Sequence, residues 1–213
     1  MIHFKIFGIP VSIQPFFWIT MVLIGSQLVG GDEKQMILLM GLFVLAGFIS
    51  ITVHELGHAL TIKHFGLPTA ITLHAFGGYA TYPAGILSRP KSFMVTAAGP
   101  GIQLLLGLVS YLALKNMLMI GNSNLLYFLS ILTQISWFWA ILNLIPVLPL
   151  DGGQLVNALL GPERIRLTLY ISIGTALLGA FLLFKFWGGL IFPIYLIFMA
   201  WESWKTLKTI SPG

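Results

Sequence analysis

Apolar residues in this chain run in long stretches, and polar residues collect in the short gaps between them. Stretches of this kind suit membrane-spanning helices, which need about 20 predominantly apolar residues each. The pattern predicts six spans, at Val11–Val29, Met36–Phe65, Ser92–Leu114, Leu125–Val147, Ile165–Phe184 and Gly188–Trp204. An all-α polytopic membrane protein follows. No polar stretch is long enough to fold separately, so residues 1–213 are expected to form a single transmembrane domain. One segment breaks the helical pattern. In Thr69–Tyr82, Ile71, Leu73 and Ala75 alternate with Thr72, His74 and Phe76. That alternation predicts a short membrane-associated β-hairpin between the second and third spans, with Gly77-Gly78 as its two-residue turn.

Composition agrees with a membrane setting. The chain is 57% hydrophobic and 8% charged, against about 25% charged in ordinary globular domains. Cysteine is absent, which excludes a disulfide framework and any thiolate ligand for a metal. The first apolar run lacks a small-residue cleavage site and reads as a permanent span. The net charge of +5 comes from scattered residues, which argues against a nucleic-acid surface and for orientation in a bilayer. Connections on one side carry Lys5, Lys63, Arg89, Lys91, Arg164, Arg166, Lys205 and Lys208, while the other side carries Lys34, Lys115 and Lys185. The positive-inside rule then puts both termini in the cytoplasm.

Within the second span stands His54-Glu55-Leu-Gly-His58. A carboxylate at the centre of a bilayer costs roughly 2.5–3.5 kcal/mol on insertion scales, so three such groups together need a reason. Residues four apart share a helix face, so both imidazoles can hold one metal ion, and Glu55 lies beside them as a general base. His54 follows Met36 by 18 residues, roughly 27 Å along a helix, which puts the site in the cytoplasmic third of the membrane. A structural polar network is the alternative account of the three. A catalytic zinc needs one more protein ligand. The fourth span ends in Asn143-Leu-Ile-Pro-Val-Leu-Pro-Leu-Asp151-Gly-Gly153, where Pro146 and Pro149 break the helix and free backbone groups that must be satisfied nearby. Asp151 is the candidate third ligand, with a turn aspartate as the alternative.

These motifs resemble the site-2 protease family of intramembrane zinc metalloproteases. The likeness rests on the histidine motif at 54–58, Asn-x-x-Pro…Leu-Asp-Gly at 143–152, Gly77-Gly78, and Ala98-Gly99-Pro100 opening the third span. It covers about Pro10–Gly161; the last two spans match only as hydrophobic segments. The resemblance implies one Zn²⁺ per chain held by His54, His58 and Asp151, with Glu55 as general base and acid. Asn143 would help hold the substrate backbone or its oxyanion. Implied substrates are single-span transmembrane proteins, cut within or near the bilayer of a prokaryotic cell membrane during regulated intramembrane proteolysis. The hairpin at Gly77 and Gly78 would pair with an unwound substrate strand, or else lie on the membrane as a structural loop. Gln103 stands where many relatives carry asparagine, and no role follows for it. No segment suits a PDZ or CBS domain, so the chain resembles a minimal catalytic core. Two other functions fit the histidine motif: a membrane metal-ion transporter, and a different HExxH membrane protease with a glutamate, Glu163 or Glu202, as third ligand.

Overall fold

Alternation at the N-terminus, hidden next to the first apolar run, folds as strands. A computed structural model describes residues 1–26, 32–75, 77–83, 85–117, 121–187 and 189–210, less the side chains of residues 33 and 187. In it, β1 (Ile2–Ile6) and β2 (Ile9–Ile13) form an antiparallel hairpin with Ile6 opposite Ile9. Phe7 and Gly8 make its turn at φ +50° and +77°, the left-handed pair that matches the twist of two strands. The expected first span is therefore corrected: Val11–Ile13 lies in β2, where Ile9, Val11 and Ile13 are buried in alternation with Pro10 and Ser12.

The chain divides into two compact units, Met1–Ile86 with Ala98–Ala140, and Leu87–Ala97 with Ile141–Gly213. In the first unit, β2 pairs in parallel with β3 (Ala70–His74), and β3 pairs antiparallel with β4 (Gly77–Thr81), giving the sheet order β1-β2-β3-β4. The hairpin between the second and third spans is present, but its turn is not Gly77-Gly78. His74 pairs with Gly77, so both glycines belong to β4 and Ala75 lies in the turn. Val11, Ile13, Ile71 and Leu73 pack with Phe17 and Met21 of α1 (Pro15–Gly25) and with Phe43 and Ala46 of α2 (Glu33–His64). The N-terminus of α2 is capped by Asp32, whose side chain accepts from the Gln35 N–H at 2.8 Å.

Four helices among the described residues are long and apolar enough to cross a membrane, at Lys34–His64, Arg89–Met117, Ser123–Asn143 and Pro162–Phe186. They match the second to fifth expected spans. The first, α1, has 11 residues, about 16 Å of helix against a hydrocarbon core of about 30 Å; residues 27–29 of that expected span lie outside the described residues. Gly188, the expected start of the sixth, also lies outside them. Its helix α7 (Ile191–Thr209) carries Glu202, Lys205 and Lys208 near its end and is not among the four. Bands of large apolar side chains face outward, among them Leu105, Leu108, Val109 and Leu112 on α3 (Arg89–Met117) and Leu177, Leu178 and Phe181 on α6 (Ile165–Trp187). Water would not tolerate such bands, whereas lipid tails suit them.

The helix α4 (Ser123–Asn143) stops four residues before the expected Val147. Pro146 has no N–H and would clash with the carbonyl one turn back. The backbone groups freed by this break are met by α6. Thr175 Oγ1 donates to the Pro146 carbonyl at 2.9 Å, and Ser172 Oγ accepts from the Leu148 N–H at 3.1 Å. A further helix that the sequence pattern leaves out, α5, begins at Asp151 and runs to Leu160. A side chain at Gly152 would overlap the carbonyls of Leu144 and Ile145, so Asp-Gly-Gly serves close packing of the broken segment on the first turn of α5, rather than a turn. Arg89 closes the other end of α5 by donating to the Ala158 and Leu159 carbonyls at 3.3 and 3.2 Å.

Candidate metal centre

The last three turns of α2 carry His54, Glu55 and His58, which are 4%, 4% and 8% exposed. Spacing of four residues along the helix brings the two imidazoles onto one face. Their Nε2 atoms stand 3.0 Å apart, with ring planes inclined at 78°. Two nitrogens bound to one tetrahedral zinc at about 2.0–2.1 Å would stand about 3.3 Å apart, so the pair is spaced to share an ion. Asp151, the expected third ligand, is also buried and is the first residue of α5 in the second unit. Two imidazoles and a carboxylate, with no thiolate, form a donor set that suits zinc.

The orientation of His54 has a visible cause. Its Nδ1 lies 2.8 Å from Gln103 Oε1, and Gln103 is wholly buried. An amide oxygen can only accept, so Nδ1 carries the proton and Nε2 presents its lone pair. His58 is placed by a different device. Its ring packs on Gly99 of α3, where any Cβ would overlap Nε2 and Cε1. Pro100, inside the same helix, is also fully buried. Gly99→Ala is accordingly expected to turn the His58 ring aside and weaken zinc binding by about 10–100-fold, the range seen when groups around a ligand are disturbed. Chelator competition on the purified protein measures this; unchanged affinity would show that the ring has room to move.

Glu55 is held from the strand side. A Cβ on Gly78 would lie 2.6 Å from Glu55 Cγ and 2.9 Å from Cδ, so the bare backbone of β4 lies directly against the carboxylate side chain. Gly77, at φ +136°, takes a backbone conformation that side chains rarely adopt. These two facts account for the paired glycines better than the hairpin turn expected for them. As the last strand in the sheet order, β4 also has one backbone edge with no strand beside it among the described residues. His74, on β3, sits with its ring 5.6 Å from Tyr79, and burial holds its imidazole below the ordinary histidine range. Asn143 is the last residue of α4, half-buried, and its side-chain amide makes no hydrogen bond among the described residues. Gln103 is the residue that sequence reasoning left without a role. Its signal was a lone amide in an apolar helix.

Comparison with known proteins points the same way. Residues 116–184 match the family model for peptidase family M50. A zinc metalloprotease of Methanocaldococcus jannaschii is 30% identical over 163 residues, 75% of this chain and 45% of that protein. A candidate zinc metalloprotease of Synechocystis sp. is 30% identical over 167 residues, 73% of this chain and 42% of its own length. The chain thus spans less than half the length of these two relatives. A solved structure of a site-2 protease from Methanocaldococcus jannaschii shares the fold, with a TM-score of 0.62 at 21% identity, covering 100% of this chain and 97% of that one.

Proposed function

We propose, on the premise that this chain is a relative of peptidase family M50, the site-2 protease family, that it is an intramembrane zinc metalloendopeptidase. The observation that carries this reading is the buried pair of His54 and His58, their Nε2 atoms 3.0 Å apart, with Glu55 next in sequence, on a helix apolar enough to span a bilayer. His54, His58 and Asp151 would hold one zinc ion. Bound there, zinc supplies a Lewis acid that polarises the scissile carbonyl and lowers the pKa of water to about 7.

The chain's own residues do the rest. Glu55 takes the proton from the attacking water and passes it to the departing amine, which needs a carboxylate held in place, as the Gly78 backbone holds it. The free edge of β4, at Gly77 and Gly78, pairs with a substrate segment opened from its helix, since a helical peptide bond has its carbonyl already engaged. The uncommitted amide of Asn143 steadies the substrate backbone or the charge that develops on its carbonyl oxygen. The substrate class is single-span, membrane-anchored proteins, cut in regulated intramembrane proteolysis. All 213 residues act as one transmembrane domain. The crossings number six, two of them beyond the four long apolar helices, both termini are cytoplasmic, and the site lies in the cytoplasmic third of the bilayer, as the distribution of lysine and arginine favours.

The glutamate-ligand alternative has little support. Glu163 is 61% exposed and pairs with Arg89 at 3.5 Å, and Glu202 is 43% exposed beside Lys205. Exposed, paired carboxylates of this kind are poor partners for a buried histidine pair. A transporter would need further ligands along a path, whereas His54 and His58 share one helix face with their Nε2 atoms 3.0 Å apart. Reconstitution with a single-span substrate decides between the readings. The expected product is a cut within the apolar segment, mapped by mass spectrometry; zinc flux across the vesicle without any cut would favour transport.

A further inference from the structure

A chain of buried polar groups leads away from His54, and it crosses three helices. Gln103 on α3 accepts from His54 Nδ1–H through Oε1 at 2.8 Å. Its Nε2 donates to Ser50 Oγ at 2.9 Å and approaches the Ser50 carbonyl at 3.4 Å. Ser50 Oγ in turn lies 3.0 Å from Ser136 Oγ on α4. Gln103, Ser50 and Ser136 are each 0% exposed. Burying four polar side chains among apolar helices is costly unless they satisfy one another, and here they do.

The chemistry of the chain gives it a direction. A backbone carbonyl can only accept, so the Ser50 carbonyl fixes which end of the Gln103 amide is nitrogen. The amide oxygen is then turned toward His54. With the amide reversed, an NH₂ group would face Nδ1, and the histidine proton would move to Nε2, the nitrogen that faces His58. The Ser50 carbonyl therefore sets the amide, and the amide sets the tautomer.

We propose that Gln103 is a positioning residue for zinc binding, that it holds His54 in the Nδ1–H tautomer and at a fixed ring angle, and that the Ser50 backbone carbonyl keeps its amide from reversing. The proposal rests on the reading of His54 as a zinc ligand. Groups that hydrogen-bond the far nitrogen of a ligating histidine commonly change metal affinity by about 10–100-fold when removed. Gln103→Leu fills similar space with no acceptor, so its zinc affinity should fall by about that factor. Gln103→Glu still accepts from Nδ1–H, so its affinity should return to within a few-fold of wild type. A residue that served packing alone would give the opposite ranking, because leucine suits an apolar surround better than a carboxylate does.

The test combines chelator competition for zinc with ¹⁵N NMR of histidine-labelled, metal-free protein in detergent. Wild type should show the His54 proton on Nδ1, and Gln103→Leu should show a mixture of tautomers. Gln103→Ala, which also lacks an acceptor for Nδ1–H, should likewise mix the tautomers and lower affinity, and it serves if Gln103→Leu does not fold. Wild-type affinity and a single unchanged tautomer in Gln103→Leu, or in Gln103→Ala, would overturn the proposal. Equal weakness of Gln103→Leu and Gln103→Glu would also overturn it. Failure of the underlying zinc reading looks different: wild type itself would bind no zinc, whatever the tautomer.

Discussion

Glu55→Gln protein is expected to keep its zinc and lose about 10²–10⁴-fold in cleavage rate, the range that a positioned acid–base group supplies. The substitution preserves shape, so the close contact with the Gly78 backbone survives and the helix face of His54 and His58 is undisturbed. What it removes is the ability to take a proton from water and return it to the amine. Turnover and metal content should therefore separate in one sample. Equal turnover for Glu55→Gln and wild type, with zinc present in both, would remove Glu55 from the mechanism.

The second large effect is at Asp151. Asp151→Ala should bind zinc more than about 100-fold more weakly than wild type, because it deletes the proposed third ligand and outer-group changes already cost about 10–100-fold. The fold should tolerate the change. Asp151 is the first residue of α5, and the glycine packing that seats this helix on residues 144–148 involves Gly152 and Gly153. Losing an acidic side chain at a helix N-terminus costs only about 0.3–1 kcal/mol. Metal content after equilibration with limiting zinc, alongside thermal unfolding of the metal-free protein, separates a lost ligand from a lost fold. Full zinc retention in a folded Asp151→Ala protein would return attention to a glutamate as third ligand.

The long apolar runs made the central helices legible. Met36–Phe65 and Ile165–Phe184 differ by only a few residues from the observed α2 and α6, since twenty or more apolar residues admit few other folds in a membrane. The N-terminal hairpin was concealed because five-residue strands beside an apolar run leave only a short alternation to read. Asp-Gly-Gly looks like a turn in sequence and is the start of a helix, because Gly152 lies against carbonyls freed by the proline break. Gly77-Gly78 looks like a hairpin turn, yet the close approach to Glu55 is a tertiary fact that no local pattern records. The motif at 54–58 stood out because three groups costly to bury in a bilayer fall within five residues. Gln103, Ser50 and Ser136 carried no such signature. Each is one of several polar residues in a mostly apolar helix, and their connection exists only once α2, α3 and α4 are packed.

Zinc titration into metal-free wild-type protein in proteoliposomes, with cleavage of a single-span substrate followed at each addition, tests the central claim most directly. Cleavage should be absent at the start, rise in proportion to zinc bound, and level off at one ion per chain. Cleavage that persists in the metal-free protein, or a fully zinc-loaded protein that cuts no transmembrane segment, would contradict it.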